Sequence, residues 1–435
     1  MYRTAMMTWL AGSLAATSMA FTGCGSDATL ATPNDPVTTP DIGTEIRSDK
    51  VRDTTPTVAD AAIAELATGN SAFALDLYTE LQAAEGNLFY SPYSVSLALA
   101  MTYAGATNDT LTTMADVLHF TLAEPELHPA FNALDLDLLS RSHAADGGEG
   151  AGLTLTLANA LWSDGEGFLM PFLDTLAENY GAGMHLVDFA QPEAAAASIN
   201  AWVEEQTESK IKDLLKPENL IDARLVLTDA IYFKAQWAKP FPRELTVDHD
   251  FALLDGSHIA VPTMVQADMF AYAAGDGYQA VQLDYDGEET SMLVVLPDAG
   301  RFAEIEGGFD PAFIAAIVDA LVDTDVSVML PRWSFESTFS LADTLKALGM
   351  GEAFSAAADF SRMDGTGTLY ISDVLHKAFV AVNEDGTEAA AATAVVMVNG
   401  IPEANVHADR PFLFVIRDNI TGTILFVGRV LNPAA

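Results

Sequence analysis

The chain has 435 residues, half of them hydrophobic, which is enough to bury a large core and excludes a wholly disordered polymer. Lys plus Arg number 20 against 61 Asp plus Glu, a formal charge of −41 at pH 7 that repels nucleic acid, heparin-like polyanions and anionic membrane surfaces. The single cysteine, Cys24, rules out internal disulfides and any cysteine-based zinc site.

Residues 1–23 read as an export signal, with Arg3 as a short basic start and a mostly apolar or small stretch over residues 5–21. Phe21-Thr22-Gly23-Cys24 resembles the lipobox of bacterial lipoproteins, which implies a lipid on Cys24, although Phe21 stands where leucine is usual. An ordinary secretory signal with an incidental thiol is the other reading. Either one exports the protein to the cell envelope or the extracellular space. The apolar stretch is too broken for a permanent span, so contact with a membrane is expected only through the lipid. Residues 24–57, rich in Thr, Pro and Asp, read as a flexible tether, and residues 58–435 as one large domain.

Helices lead that domain. Phe73, Leu77 and Leu81 recur every four residues, an apolar helical stripe. Ser91-Pro92 supplies a cap and a first-turn proline, and Val95 to Ala106 is apolar on nearly every side, so that helix belongs in the core. Ile199, Trp202 and Val203 mark an amphipathic helix ending near Lys210–Lys212. Strands follow. Leu153, Leu155 and Leu157 alternate with threonines, Thr290–Leu296 and Val326–Leu330 are each closed by a proline, and Phe412–Arg417 with Thr423–Val430 frames a closing hairpin. Helices early and strands late, without regular alternation, predict an α+β fold with antiparallel or mixed sheets.

The segment Asn383 to Ala394 (Asn-Glu-Asp-Gly-Thr-Glu-Ala-Ala-Ala-Ala-Thr-Ala) is unusual. Its alanines favour helix, yet it sits between strand-like Ala378–Val382 and valine-rich Val395–Val398. With period two, one face carries Thr387, Ala389, Ala391, Thr393 and Val395, all small or apolar and uncharged, and so able to enter a core as a strand. The other face carries Glu388, Ala390, Ala392, Ala394 and Val396. Gly386 frees the backbone where a hinge would lie, and no proline interrupts before Pro402.

From Glu384 to Thr393 this segment resembles the proximal hinge of inhibitory serpins. Asn87 to Ser94, Ala230 to Trp237, His376-Lys377-Ala378, Arg410 to Phe414 and Gly428 to Pro433 are also similar to serpin segments, in the family's order, from about residue 58 to the C-terminus. The resemblance implies about nine helices, three β-sheets and an exposed reactive loop over residues 387–405. It implies no catalytic group, cofactor or metal, and a monomer whose partner is a target peptidase held as a covalent acyl complex. The cut loop would then enter the central sheet as a new strand, strand addition of the kind for which serpin loops are a standing example. Counting forward from Gly386 and back from Pro411 by the family's spacing gives the same reactive bond, Gly400-Ile401. Val398-Asn399 and Asn399-Gly400 remain as alternatives.

Met397 and Val398 suit elastase-like or subtilisin-like specificity pockets, and papain-like cysteine peptidases stay open as targets. The resemblance further assigns Ser91, Ser94, Asp229 and His376 to a polar "shutter" beneath the sheet. Asp229 stands where the family usually has Asn, which leads us to expect pH-dependent sheet opening. Glu384 and Arg332, with Trp237 nearby, match the "breach" where insertion begins. The rival classes are a non-inhibitory binding protein of the same fold and a hydrolase, for which no Gly-x-Ser-x-Gly or His-Glu-x-x-His is present. Asp284 to Glu289 reads as an Asp-Gly hairpin turn rather than a calcium loop.

Overall fold

Ser91 and Pro92 open the helix around which the molecule is built. Ser91 is extended, its hydroxyl accepts the Ser94 amide at 3.2 Å, and Pro92 takes a first-turn position where a missing N–H costs nothing. The resulting helix, Pro92–Tyr103, is buried along its whole length. Helix Asp60–Leu81 packs on it and turns Phe73, Leu77 and Leu81 inward, as their spacing predicts. The computed structural model describes residues 43–144, 151–165, 167–387 and 401–435, and ten α-helices occur among them.

Two sheets frame these helices. The first has eight strands, with the path Thr44–Ile46, Met184–Leu186, Ala151–Ser163, Leu225–Gln236, Gly386–Thr387, Ile371–Asn383 and Trp333–Ser340; His143–Ala144 pairs beside Ala151–Ser163. Its two central long strands, Leu225–Gln236 and Ile371–Asn383, run parallel to each other and are buried almost continuously, because both faces of the sheet are covered. Leu227 and Ile231 face the main core, where helix Pro92–Tyr103 lies. Val226 and Ala230 face a second apolar cluster under helix Pro192–Gln206, whose Ile199 and Val203 point down onto it.

That helix stops at Gln206, short of the expected Lys210–Lys212. The Thr207 hydroxyl donates to the Val203 carbonyl and accepts the Ile211 amide, and Glu208 and Ser209 take left-handed backbone at φ 51° and 62°.

The second sheet has nine strands, ordered Ala404–His407, Val322–Pro331, His258–Gly275, Tyr278–Asp284, Thr290–Pro297, Phe412–Asp418, Ile424–Val430 and Leu88–Tyr90, with Val247–Ala252 beside His258–Gly275. Three sheets were implied by the resemblance, and hydrogen bonding joins two of them here. The 18-residue strand His258–Gly275 is long enough to pair at one end with Val247–Ala252 and at the other with Tyr278–Asp284. The Asp286-Gly287 turn joins strands as expected, with Gly287 at φ 88°. The closing hairpin is held at its tip by the Asp418 carboxylate, which accepts the Thr421 amide at 2.7 Å.

One expectation is corrected at the N-terminus. Residues 44–53, within the stretch read as a flexible tether, are fastened to the domain instead, beginning with strand Thr44–Ile46 on the edge of the first sheet. The Pro, Thr and Asp content of that stretch hid three cations, Arg47, Lys50 and Arg52, each of which meets a carboxylate or carbonyl on a neighbouring helix or its end.

Candidate functional site

The first sheet contains a seam. Leu225–Gln236 and Ile371–Asn383 pair directly from Ile371 with Leu225 up to Ala378 with Ile231, and no further. Above that point the chain leaving Asn383 turns at Glu384-Asp385 and comes back between the two strands. Gly386 pairs with Asn383 on one side and Gln236 on the other, and Thr387 with Val382 and Ala235. A glycine is required there: its φ is 149°, and a Cβ would lie 2.0 Å from the Ala235 carbonyl oxygen. Thr387 is buried, and its hydroxyl shares a 2.8 Å hydrogen bond with Tyr285. The expectation of a loop free from residue 387 is therefore corrected. Thr387 belongs to the sheet, and the downstream leg is tied down from Glu403, whose amide donates to the Asp325 carbonyl at 2.8 Å before Ala404–His407 pairs with Val322–Pro331.

The turn is held on every side. Trp237 donates its backbone amide to the Asp385 carbonyl at 2.8 Å and its indole N–H to the Asn383 carbonyl at 3.0 Å, while its ring stacks on Tyr285 with centroids 4.6 Å apart. Phe241 donates its amide to the Glu384 carbonyl at 2.8 Å. The Glu384 side chain, 1% exposed, accepts from Arg332 at 2.9 Å and from the Thr246 hydroxyl. Burial pushes this carboxyl up, but the bonds from Arg332 and Thr246 outweigh it and hold the group below its ordinary range. Asp385 pairs with Arg243, and its amide donates to the Asn383 side chain at 2.9 Å. The structure thus brings Trp237, Arg332 and Glu384 together, and adds Arg243, Thr246 and Tyr285. Nothing in the local sequence marks these three, because each reaches the hinge from a distant segment.

Lower in the seam lies the polar cluster. Ser91, Ser94, Asp229 and His376 are all fully buried. His376 Nε2 accepts the Ser91 backbone amide at 3.0 Å, so the ring proton sits on Nδ1, which donates to Asp229 at 2.9 Å. The Ser94 hydroxyl donates to the other oxygen of the same carboxylate. Asn159, on the next strand over and in register with Asp229, completes the cluster by donating to the Ser94 carbonyl at 2.9 Å. His376 and Asp229 are themselves register partners on opposite sides of the seam. Their hydrogen bond is a polar stitch across the seam.

Ile401 is 93% exposed. Glu388, Ala389, Ala390, Ala391, Ala392 and Thr393 of the hinge, with Val398, Asn399 and Gly400 at the expected reactive bond, lie outside the described residues, as does Cys24.

A mixed sheet with a seam, a chain segment turning into its top and a far leg anchored on another sheet define an α+β class of protein in which the chain between Thr387 and Ala404 connects the two sheets. The model of the serpin family (serine protease inhibitor) matches residues 68–433, and the chain belongs to that family. It is 38% identical to the leukocyte elastase inhibitor of Homo sapiens over 389 residues, covering 85% of this chain and 100% of that one. It is 40% identical over 370 residues to an uncharacterised serpin-like protein of Thermococcus kodakarensis, covering 83% and 84% respectively. Among solved structures, tengpin, a thermophilic serpin in its native state, superposes with a TM-score of 0.77 at 28% identity, covering 90% of this chain and 99% of that one.

Proposed function

We propose that this protein is an inhibitory serpin that traps serine endopeptidases of elastase-like or subtilisin-like specificity as a suicide substrate. The observation that carries this reading is the seated pair Gly386–Thr387, in register between two strands and continuous with an uncharged small-residue face. The peptidase serine oxygen adds to the Gly400 carbonyl carbon, the bond to the Ile401 nitrogen breaks, and that nitrogen leaves with a proton. The peptidase stays as an ester on the new C-terminus. Residues 388 onward then zip into the seam, carrying the acyl-enzyme with them.

The seated register supports a specific path. Continued down both strands, it brings Ala391 opposite Ile231 and Ala378, and Thr393 opposite Asp229 and His376, the same cross-seam partners that now touch directly. Thr387 faces inward, so by alternation Thr393 does too, and its hydroxyl can accept from His376 and donate to Asp229 in place of their lost bond. The similarity to leukocyte elastase inhibitors and the Met397-Val398 pair support an elastase-like target, with papain-like cysteine peptidases as a further target class. The same reading makes the protein an exported monomer, held at a membrane through a lipid on Cys24.

The test is incubation with an elastase-like peptidase, followed by denaturing electrophoresis and mass spectrometry. We expect an SDS-resistant adduct and a free peptide beginning at Ile401. Clean loop cleavage without any adduct, for serine and cysteine peptidases alike, points instead to a non-inhibitory binding protein of the same fold.

A further inference from the structure

Residues 44–53 cross from the sheet to the helical body. Thr44, Glu45 and Ile46 pair antiparallel with Leu186, His185 and Met184, so this segment forms the outermost strand on one side of the seam. The chain then leaves the sheet. Arg47 donates to the Gly181 carbonyl just past the end of helix Met170–Tyr180, and the Ser48 hydroxyl donates to Asp174 within it. Lys50 pairs with Glu178 at 2.7 Å, and the Asp53 amide donates to the Glu178 carbonyl at 2.9 Å. The segment ends on helix Glu124–Ser140. There Arg52 donates to the Asn132 side chain at 2.7 Å and to Asp135 at 2.5 Å, and Asn132 returns a 2.7 Å bond to the Asp53 carbonyl.

The last contact matters most. Asp135 is buried at 5% exposure, and burial pushes its carboxyl up while the Arg52 guanidinium pulls it back down. Its other oxygen is 3.4 Å from the hydroxyl of Tyr93, a fully buried residue of the central helix. Arg52 thus supplies the countercharge to a carboxylate set into the molecule's core. Helix Glu124–Ser140 in turn packs on helices Asp60–Leu81 and Met170–Tyr180 more extensively than on strand Ala151–Ser163, which places the anchor point in the helical body.

A strand added in the seam widens the sheet by about 4.8 Å. The half of the sheet carrying Leu225–Gln236, Ala151–Ser163, Met184–Leu186 and Thr44–Ile46 must then move relative to the body, or the other half must. Residues 44–53 are bonded to both sides of that boundary. We infer that they form a strap restraining the opening of the first sheet, with Arg52 as its anchor and a positioning residue for loop insertion. This rests on the inhibitory reading above, and it makes the strap selective: it stabilises the uncut molecule and not the molecule whose loop has entered the sheet.

The experiment compares full-length wild type, Arg52→Gln, Arg52→Lys and Thr44→Pro, each intact and after cleavage of the loop, by thermal melting and by the rate of peptidase trapping. Thr44 is exposed and stands opposite Leu186 at a hydrogen-bonded position of the pairing, so Thr44→Pro weakens the strand and leaves the buried ion pair in place, and it tests the strap even if Arg52→Gln fails to fold. We expect Thr44→Pro to lower the melting temperature of the intact form by about 3–5 °C and leave the cleaved form unchanged, Arg52→Gln to lower the intact form by more than the cleaved form, in which Asp135 also loses its countercharge, and both to speed trapping. Arg52→Lys keeps the cation and recovers most of the loss. Equal falls in intact and cleaved forms, or unchanged trapping rates, make residues 44–53 ordinary structure and overturn the strap. A wild type that gains no melting temperature on cleavage refutes the inhibitory reading itself, and the strap with it.

Discussion

Cutting the loop should make the molecule more stable, and the size of the gain follows from the seam. In the intact form the two central strands share seven register pairs, from Ile371 with Leu225 to Ala378 with Ile231, or about one hydrogen bond per pair. A cut at the expected Gly400-Ile401 bond lets about ten residues below Thr387 enter as a middle strand, bonding to both neighbours with roughly 20 new backbone bonds. Replacing about 7 with about 20 at ~1 kcal/mol net each is a gain on the order of 10 kcal/mol. Unfolding entropy near 2.1 cal/mol/K per residue, over roughly 390 residues, is about 0.8 kcal/mol per degree, so melting should rise by about 10–15 °C. The assay is limited proteolysis at catalytic peptidase concentration, confirmation of the nick by mass spectrometry, and paired scans at one heating rate. A nicked protein that melts at or below the intact one refutes the argument, because the seam would then not be accepting the strand.

Three further outcomes follow from the same geometry. Gly386→Ala places a Cβ 2.0 Å from a backbone oxygen that cannot yield, at a cost of about 1–3 kcal/mol; trapping should slow about tenfold while cleavage continues, seen as more inhibitor consumed per enzyme trapped, and an unchanged ratio contradicts the seated hinge. Thr393→Val should leave the intact form alone and lower the melting of the cleaved form by about 1–4 °C, since His376 and Asp229 then lose the partner the register brings them; an equal effect on both forms argues against that register. Burial, helped by Arg362, pushes the His128 imidazole down to about 4, so the folded chain resists a proton that the unfolded chain accepts. Its contribution is complete above the ordinary histidine pKa of ~6.5 and is lost as pH falls from there toward 4, about 2 kcal/mol by pH 5. Urea midpoints of wild type and His128→Phe should therefore diverge across that window, and parallel curves exclude the effect.

Much of this was legible in the chain. The Ser91-Pro92 cap, the four-residue stripe at Phe73, Leu77 and Leu81, and the hairpins at Asp286-Gly287 and Asp418 to Gly422 are local devices, and local devices can be read in sequence. The period-two face beginning at Thr387 was also visible. Its seating was not, because that depends on Tyr285, Ala235 and Arg243, which reach the hinge only in the folded molecule. Asn159 is one polar residue in a strand, and nothing nearby marks it as a partner of Ser94. Strand His258–Gly275 carries Pro262 inside it, a residue that argues against a strand interior, and so the junction of two sheets was hidden. The strap shares its composition with the residues before it, and only its cations distinguish it.

The far side of the expected scissile bond has its own consequence. Residues 401–435 contribute Ala404–His407, Phe412–Asp418 and Ile424–Val430 to the second sheet, and Phe412, Leu413, Phe414, Val415, Ile416, Phe426, Val427 and Val430 are each wholly buried. Hydrolysis of one peptide linkage would therefore leave two polypeptides but still one particle. The short piece remains locked in the interior by contacts that never depended on chain continuity, so mass spectrometry under native conditions would record only the added water.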